Sequence, residues 1–315
     1  MVPEAPKAGD CGMIREYLRR GYRSLLPLLY ARTNFKLFLK TTFADMDIRV
    51  QQLISLTDYF SNSVRAIPIR APFGSSMLVL APHQDDEAIG CGGALALQVR
   101  AKGDACVVIL QDGAEGHEEL ELKRQDMVSL RNEESLRASK VLRIEPPTFL
   151  NHRDLPSELH QAAEELRSIL IHKRVDAIFL PFLLDNHPDH RTANYIAAEA
   201  LKSVDWDVRV FGYEVWSLCI PNVIVVIDEV MDEKIRMLSC FDFANKAVDY
   251  VQSTKGLNMY HSRMLGAGMC RYAECFFEVP KQEFIELVYK VQTAEAGRNP
   301  AELACSSNPG INREA

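Results

Sequence analysis

The sequence predicts an α/β fold in which a mainly parallel sheet is covered by helices on both faces, preceded by a helical extension. Three observations predict it. From Met77 onward, short β-rich runs alternate with helical stretches, which is the rhythm of βαβ units. Before Met77 that alternation is absent. The 315 residues, 47% hydrophobic and 25% charged, suffice for a packed core in one large domain plus an extension, or in two domains.

The strands expected are residues 77–81, 105–110, 148–150, 176–182, 209–216 and 223–227. Between them, Met127, Leu130, Glu134, Ala138 and Val141 recur at spacings of three and four, one face of a helix. Glu134 is the odd member of that stripe. A carboxylate there needs a partner, and Arg131, three residues back, is the nearest candidate. Leu159, Ala163, Leu166 and Leu170 mark a second helix, and residues 282–291 a last one. Residues 14–30 and 35–59 read as helical, with Pro27 breaking the first, and a Pro- and Gly-containing stretch at 67–76 links them to the first strand. The expected organisation is a helical extension (1–76), a Rossmann-like three-layer sandwich (77–293) and a loose tail (294–315).

Net charge −7 and a pI near 5.7 give no basic field, so no nucleic-acid partner is expected. Eight scattered cysteines without a CxxC pair indicate a reducing compartment. With no leader pattern and no run of about 18 apolar residues, a soluble cytoplasmic protein is expected. Residues 1–50 carry nine Lys/Arg against five Asp/Glu, with Arg15, Arg19, Arg20 and Arg23 ahead of Leu25-Leu-Pro-Leu-Leu-Tyr30. A cationic face beside an apolar one suits peripheral contact with an anionic membrane. More often such a segment packs on its own domain or on a sister subunit, as in a homo-oligomer.

Chemistry concentrates at two strand ends. Pro82-His83-Gln84-Asp85-Asp86-Glu87 follows the first apolar run, and His187-Pro188-Asp189-His190 follows the run at 176–182. Taken alone, Asp85 or Asp86 is more readily the N-cap of a helix over residues 87–99 than a metal ligand. The second cluster shifts the balance, because two strand ends that both deliver imidazole and carboxylate can meet over one ion. Without thiolate, such a donor set suits zinc, while iron(II), cobalt or nickel could take the same groups. With His83, Asp86 and His190 as ligands, one position stays open for water, Asp85 remains as general base, and His187 remains to stabilise charge on a substrate oxygen.

These two segments, in this order and on these strand ends, resemble the PIG-L/LmbE-like family of zinc-dependent de-N-acetylases over roughly residues 77–280. The resemblance implies metal ligands at His83, Asp86 and His190, a general base at Asp85, a protonated His187 on the amide oxygen, and Asp189 orienting that imidazole. It also implies substrate contacts from Arg131 and Asp154. Both residues also have plain readings: Arg131 as the partner of Glu134, and Asp154 as a turn or salt-bridge residue. The late segment Tyr272-Ala273-Glu274-Cys275-Phe276 resembles the family's closing motif. Gln84 replaces the usual proline and is expected to point aside. Asp185 stands where some members carry a tyrosine, so no group assisting Asp85 is assigned. The implied reaction is removal of acetyl from an N-acetylated amino sugar or glycoconjugate by metal-activated water. The alternatives are a metal hydrolase of another amide or ester bond, or a non-catalytic sugar-binding protein on the same fold.

Three further features are weighed. Gly90-Cys91-Gly92-Gly93 lacks the order of a nucleotide fingerprint and suits close packing of helix on sheet. Residues 111–117 should wall the pocket, with His117 facing solvent. His261 is expected on a helix surface.

Overall fold

A computed structural model describes residues 66–115, 117, 118, 121–266 and 268–296. Residues 1–65 of the helical extension expected over 1–76, with its basic face, lie outside the described residues, as do residues 297–315 of the tail expected over 294–315. In chain order the elements are β1 (Ile67–Ile69), β2 (Ser76–Ala81), α1 (Asp86–Arg100), β3 (Asp104–Gln111), α2 (Arg124–Leu142), β4 (Thr148–His152), α3 (Leu159–His172), β5 (Ala177–Pro181), α4 (Pro188–Leu201), β6 (Arg209–Tyr213), β7 (Val223–Val226), α5 (Met231–Leu238), α6 (Asp242–Ala247), α7 (Tyr250–Ser262), β8 (Ala273–Pro280) and α8 (Lys281–Ala296).

The central strands are apolar at nearly every position because both of their faces are covered. Met77, Val79, Ala81, Val107, Ile109, Ala177 and Phe179 enter one core with α1, α2 and α5. The alternate residues Leu78, Leu80, Cys106, Val108, Leu110, Ile178 and Leu180 enter a second core with α3, α4 and α8. The result is the three-layer α/β sandwich that the alternation predicts.

The eight-stranded sheet runs β1-β7-β8-β6-β5-β2-β3-β4. All pairings are parallel except those of β8, which is antiparallel to β6 and β7. After β2 the chain proceeds to β3 and β4 on one side, then returns to β5 and β6 on the other. The loops leaving β2 and β5 therefore diverge and open a crevice at the carboxyl ends of the strands, where α/β sheets place their ligands.

Two strands were not anticipated. The stretch read as a linker includes β1, a three-residue edge strand that tolerates Pro68 because an edge position need not donate on both sides. β8 contains the buried Glu274, which masks its apolar pattern. The strand expected at 209–216 also stops earlier, at Tyr213.

Glu274 repairs a break in α1. At Cys91 the backbone leaves helical geometry (φ −144°, ψ 22°), which frees polar groups inside the protein. The Glu274 carboxylate accepts the N–H groups of Gly93 (2.8 Å) and Ala94 (2.7 Å), and Lys234 Nζ donates to Ile89 O (2.9 Å) and to Glu274 (2.6 Å). Gly90 and Gly93 permit the close approach, since a Cβ on Gly90 would fall into the Tyr213 ring and one on Gly93 would lie 2.6 Å from Ile227. The expected helix-to-sheet role of this glycine cluster is thus seen directly. Lys234 is fully buried and Glu274 nearly so. Lys234→Ala should therefore cost about 3–5 kcal/mol in urea unfolding, because it strands a buried carboxylate.

Candidate metal centre and active-site cavity

The loop after β2 delivers His83, Asp85 and Asp86. Asp85 adopts φ 125°, ψ −27°, a region that non-glycine residues enter at a cost of about 1–3 kcal/mol. Surrounding bonds impose it. Glu87 Oε2 accepts the Asp85 N–H (3.2 Å), and Arg131 Nη2 donates to Gln84 O (2.5 Å). Asp85 occupies the N-cap position of α1, yet its side chain makes no capping bond. Its Oδ2 lies 3.5 Å from Arg131 Nη2, and the residue lines the cavity. The plain capping role is therefore not the one it fills. Gln84 points aside as expected, donating to Asn132 Oδ1 (3.1 Å).

The loop after β5 brings His187 to the N-cap of α4, with Pro188 starting the helix. His190 follows, fully buried. Asp86 Oδ2 lies 3.2 Å from His83 Nδ1 and 3.3 Å from His190 Nε2. Nitrogens of His83, His187 and His190 all fall within 4.8 Å of one another. Donor atoms bound at about 2.0–2.1 Å around a tetrahedral ion stand roughly 3.3–3.4 Å apart, so the Asp86 distances match the edges of such a site. Both ring nitrogens of His190 are buried without a well-formed hydrogen bond, although carboxylates stand nearby. His83, Asp86 and His190 thus fit a divalent ion, and His187 stands beside them.

The electrostatics agree. Burial opposes charge on His83, yet hydrogen bonds to Asp189 and Asp86 outweigh it and raise its pKa to about 10. His190 is buried too, but Asp86 and Asp185 raise it to about 9. Against its own burial, Asp86 is held well below the usual carboxylate range, chiefly by His190. The carboxylates hold two extra protons where a dication would sit. Burial lowers His187 to about 4, reinforced by His83 and His190, so the protonated His187 expected from the resemblance is not what this environment favours. Its Nδ1 accepts the Asp189 N–H (3.2 Å), which leaves the proton of the neutral ring on Nε2. Burial raises Asp85 to about 7, with Arg131 opposing.

The other expected residues divide. Asp189 Oδ2 lies 3.2 Å from His83 Nε2 and 3.7 Å from His187 Nδ1, so its closer imidazole is His83. Arg131 lines the cavity and does not pair with Glu134, whose Oε1 accepts the Phe243 N–H instead (2.8 Å). Asp154 is exposed in the turn after β4 and does not line the cavity; its backbone carbonyl accepts the Glu158 N–H (3.0 Å). His261 is buried, not on the surface, and its Nε2 lies 2.6 Å from Glu214 Oε2.

The cavity holds about 310 Å³, at the lower end of small-molecule sites. Gln111, Gly113 and Glu115 form the expected wall from the β3 loop. His117 is not among the lining residues. Ile89, Val215, Trp216, Phe243 and Tyr250 supply an apolar side that the sequence did not single out. Arg131 is the sole Lys or Arg among the lining residues, and its guanidinium stacks 5.0 Å from the Phe243 ring centre.

Residues 78–201 match the family described as PIG-L, GlcNAc-PI de-N-acetylase. The chain is 25% identical over 261 residues to diacetylchitobiose deacetylase of Thermococcus kodakarensis, an alignment covering 76% of this chain and 93% of that protein. In structure it resembles N,N'-diacetylchitobiose deacetylase from Pyrococcus horikoshii (TM-score 0.58, 20% identity, 80% of this chain and 94% of that one). It also resembles GalB, the 4-carboxy-2-hydroxymuconate hydratase of Pseudomonas putida KT2440 (TM-score 0.53, 22% identity, 65% and 95%). The last two likenesses concern the fold alone, since that one scaffold serves a deacetylase and a hydratase. The match to the PIG-L family thus runs from β2 to α4, the stretch that carries both strand-end clusters.

Proposed function

We propose that the protein is a zinc-dependent hydrolase that removes the acetyl group from an N-acetylated amino sugar or its conjugate. The observation that carries this reading is a partly buried, strained Asp85 left without a capping role beside a cluster of three imidazoles and Asp86. A protein that only binds sugar has no need to hold such a carboxylate there. The diacetylchitobiose relative supports the substrate class.

His83, Asp86 and His190 would hold the ion. Bound zinc would act as a Lewis acid toward the acetyl oxygen and make water more acidic at neutral pH. Asp85, with its pKa raised to about 7, accepts a proton from the attacking water and returns it to the departing amine. The neutral His187 offers its Nε2–H to the oxygen on which negative charge develops. Arg131 fixes the Asp85 backbone through Gln84 O and balances its charge. Phosphoester cleavage is disfavoured, because the single Arg of the cavity is already engaged with Asp85 and Gln84. The six described cysteines are free, which supports a reducing, cytoplasmic setting, and no described helix is long and apolar enough to cross a membrane.

A panel of N-acetylglucosamine conjugates assayed for acetate tests the reading. Release that stops on chelation and returns with zinc is the expected result. Release insensitive to chelator, or none from any conjugate by zinc-loaded protein, would reject it.

A further inference from the structure

Asp185 is 1% exposed, and both of its carboxylate oxygens face donors. Oδ1 accepts the His187 N–H (2.8 Å) and lies 3.3 Å from His190 Nδ1. Oδ2 accepts the N–H groups of Trp216 and Ser217, each at 3.1 Å. The same two loops are tied again nearby, where Asn186 N–H donates to Ser217 Oγ (3.0 Å). A buried carboxylate is costly unless its lone pairs are used, and here the donors come from two different loops. One loop carries His187 and leads to His190. The other carries Val215 and Trp216 on the cavity wall.

A neutral imidazole has one donor and one acceptor nitrogen. With a metal ion taking Nε2 on the Asp86 side, Asp185, which accepts only, is the group that holds the remaining His190 proton on Nδ1. Histidine ligands of metal ions are commonly fixed in this way by a second carboxylate. Trp216, meanwhile, is 54% exposed at the mouth, with its ring 6.3 Å from that of His187 at 28°. An indole so open to water is placed by its backbone, and that backbone is bonded to Asp185.

We infer that Asp185 is a positioning residue that sets His190 in its metal-binding tautomer and docks the Trp216 rim to the same imidazole. Metal occupancy and order at the cavity mouth are therefore linked through one side chain. This rests on the metal site of the proposed function, but not on the substrate proposed for it.

The test uses the full chain and reads no turnover. In Asp185→Asn, the zinc dissociation constant, from competition with a chromophoric chelator, should rise about 10- to 100-fold. Ser217→Ala, which removes only the link to Asn186, should leave it within about twofold. The chain has two tryptophans, and Trp206 lies elsewhere, donating to Val175 O (2.7 Å), so Trp206→Phe leaves Trp216 as the sole indole emitter. In that background zinc should reduce acrylamide quenching of Trp216, and at saturating zinc Asp185→Asn should abolish the reduction. An unchanged zinc affinity in Asp185→Asn overturns the inference. So does quenching in the parent that ignores zinc, a measurement that stands even where the variant fails to fold. A parent that binds no divalent metal overturns both this inference and the proposed function. A parent that binds zinc but releases no acetate overturns only the proposed function.

Discussion

Asp85→Asn should retain one bound metal per chain and the native fold while lowering acetate release about 10²–10⁴-fold, the range attributed to a positioned general base. Asparagine tolerates positive φ better than most side chains, so the 125° backbone survives the exchange. The Arg131 bond to Gln84 O also survives, because it engages the main chain. What disappears is the group that can carry a proton. The same substitution should stabilise the metal-stripped protein. The folded-state pKa of Asp85 is raised to about 7, so the native state binds more protons than the unfolded state between the ordinary value of 3.8 and 7. Stability contributed by this group is then present below pH 3.8 and is lost as pH rises through 7. An uncharged amide avoids that loss, so Asp85→Asn should melt higher than the parent at pH 8 and similarly near pH 4. A variant as active as the parent would remove Asp85 from the mechanism. One that is inactive but less stable would make it a structural residue.

The clusters at residues 83–87 and 187–190 were legible because two local signals coincide there: a buried strand ends, and groups that cannot be buried cheaply follow at once. A sheet turns such a coincidence into proximity, since β2 and β5 are neighbours and their loops open at the same edge. Distance along the chain is then no obstacle. The apolar side of the cavity was illegible for the opposite reason. Trp216, Phe243 and Tyr250 look like any core or surface aromatic in sequence, and only the path of residues 214–250 over the strand ends makes them a wall. Buried polar pairs misled in the same way. Glu134 has a nearby arginine in sequence but finds a backbone N–H 109 residues away, and His261 finds Glu214. β8 was hidden by Glu274, whose carboxylate serves a helix on another part of the chain. Asp154 was named by resemblance alone, and its exposed position leaves it outside the cavity.

Metal binding should release about two protons per ion near pH 7, and His190→Ala should abolish both the binding and the release. In the metal-stripped protein His83 and His190 titrate at about 10 and 9, whereas Asp86 is ionised throughout the working range. A ligand imidazole must be neutral, so each ion that enters displaces the protons those two rings carry. Apparent affinity should therefore climb by about two powers of ten per pH unit up to about pH 9, by about one between 9 and 10, and flatten above. Stability moves in the opposite sense without metal. Each histidine has its folded pKa above the ordinary 6.5, so its contribution is complete below pH 6.5 and is lost as pH rises through 9 and 10. At a fixed free zinc concentration the gap in melting temperature between zinc-loaded and chelated protein should widen from pH 6 to pH 9, because the stabilisation grows with the logarithm of zinc concentration over a dissociation constant that falls as pH rises. Calorimetric titration in buffers of different ionisation enthalpy counts the protons directly. A count near zero would mean that the ion settles away from these imidazoles, and a melting gap that narrows with pH would contradict the charge distribution assigned to the site.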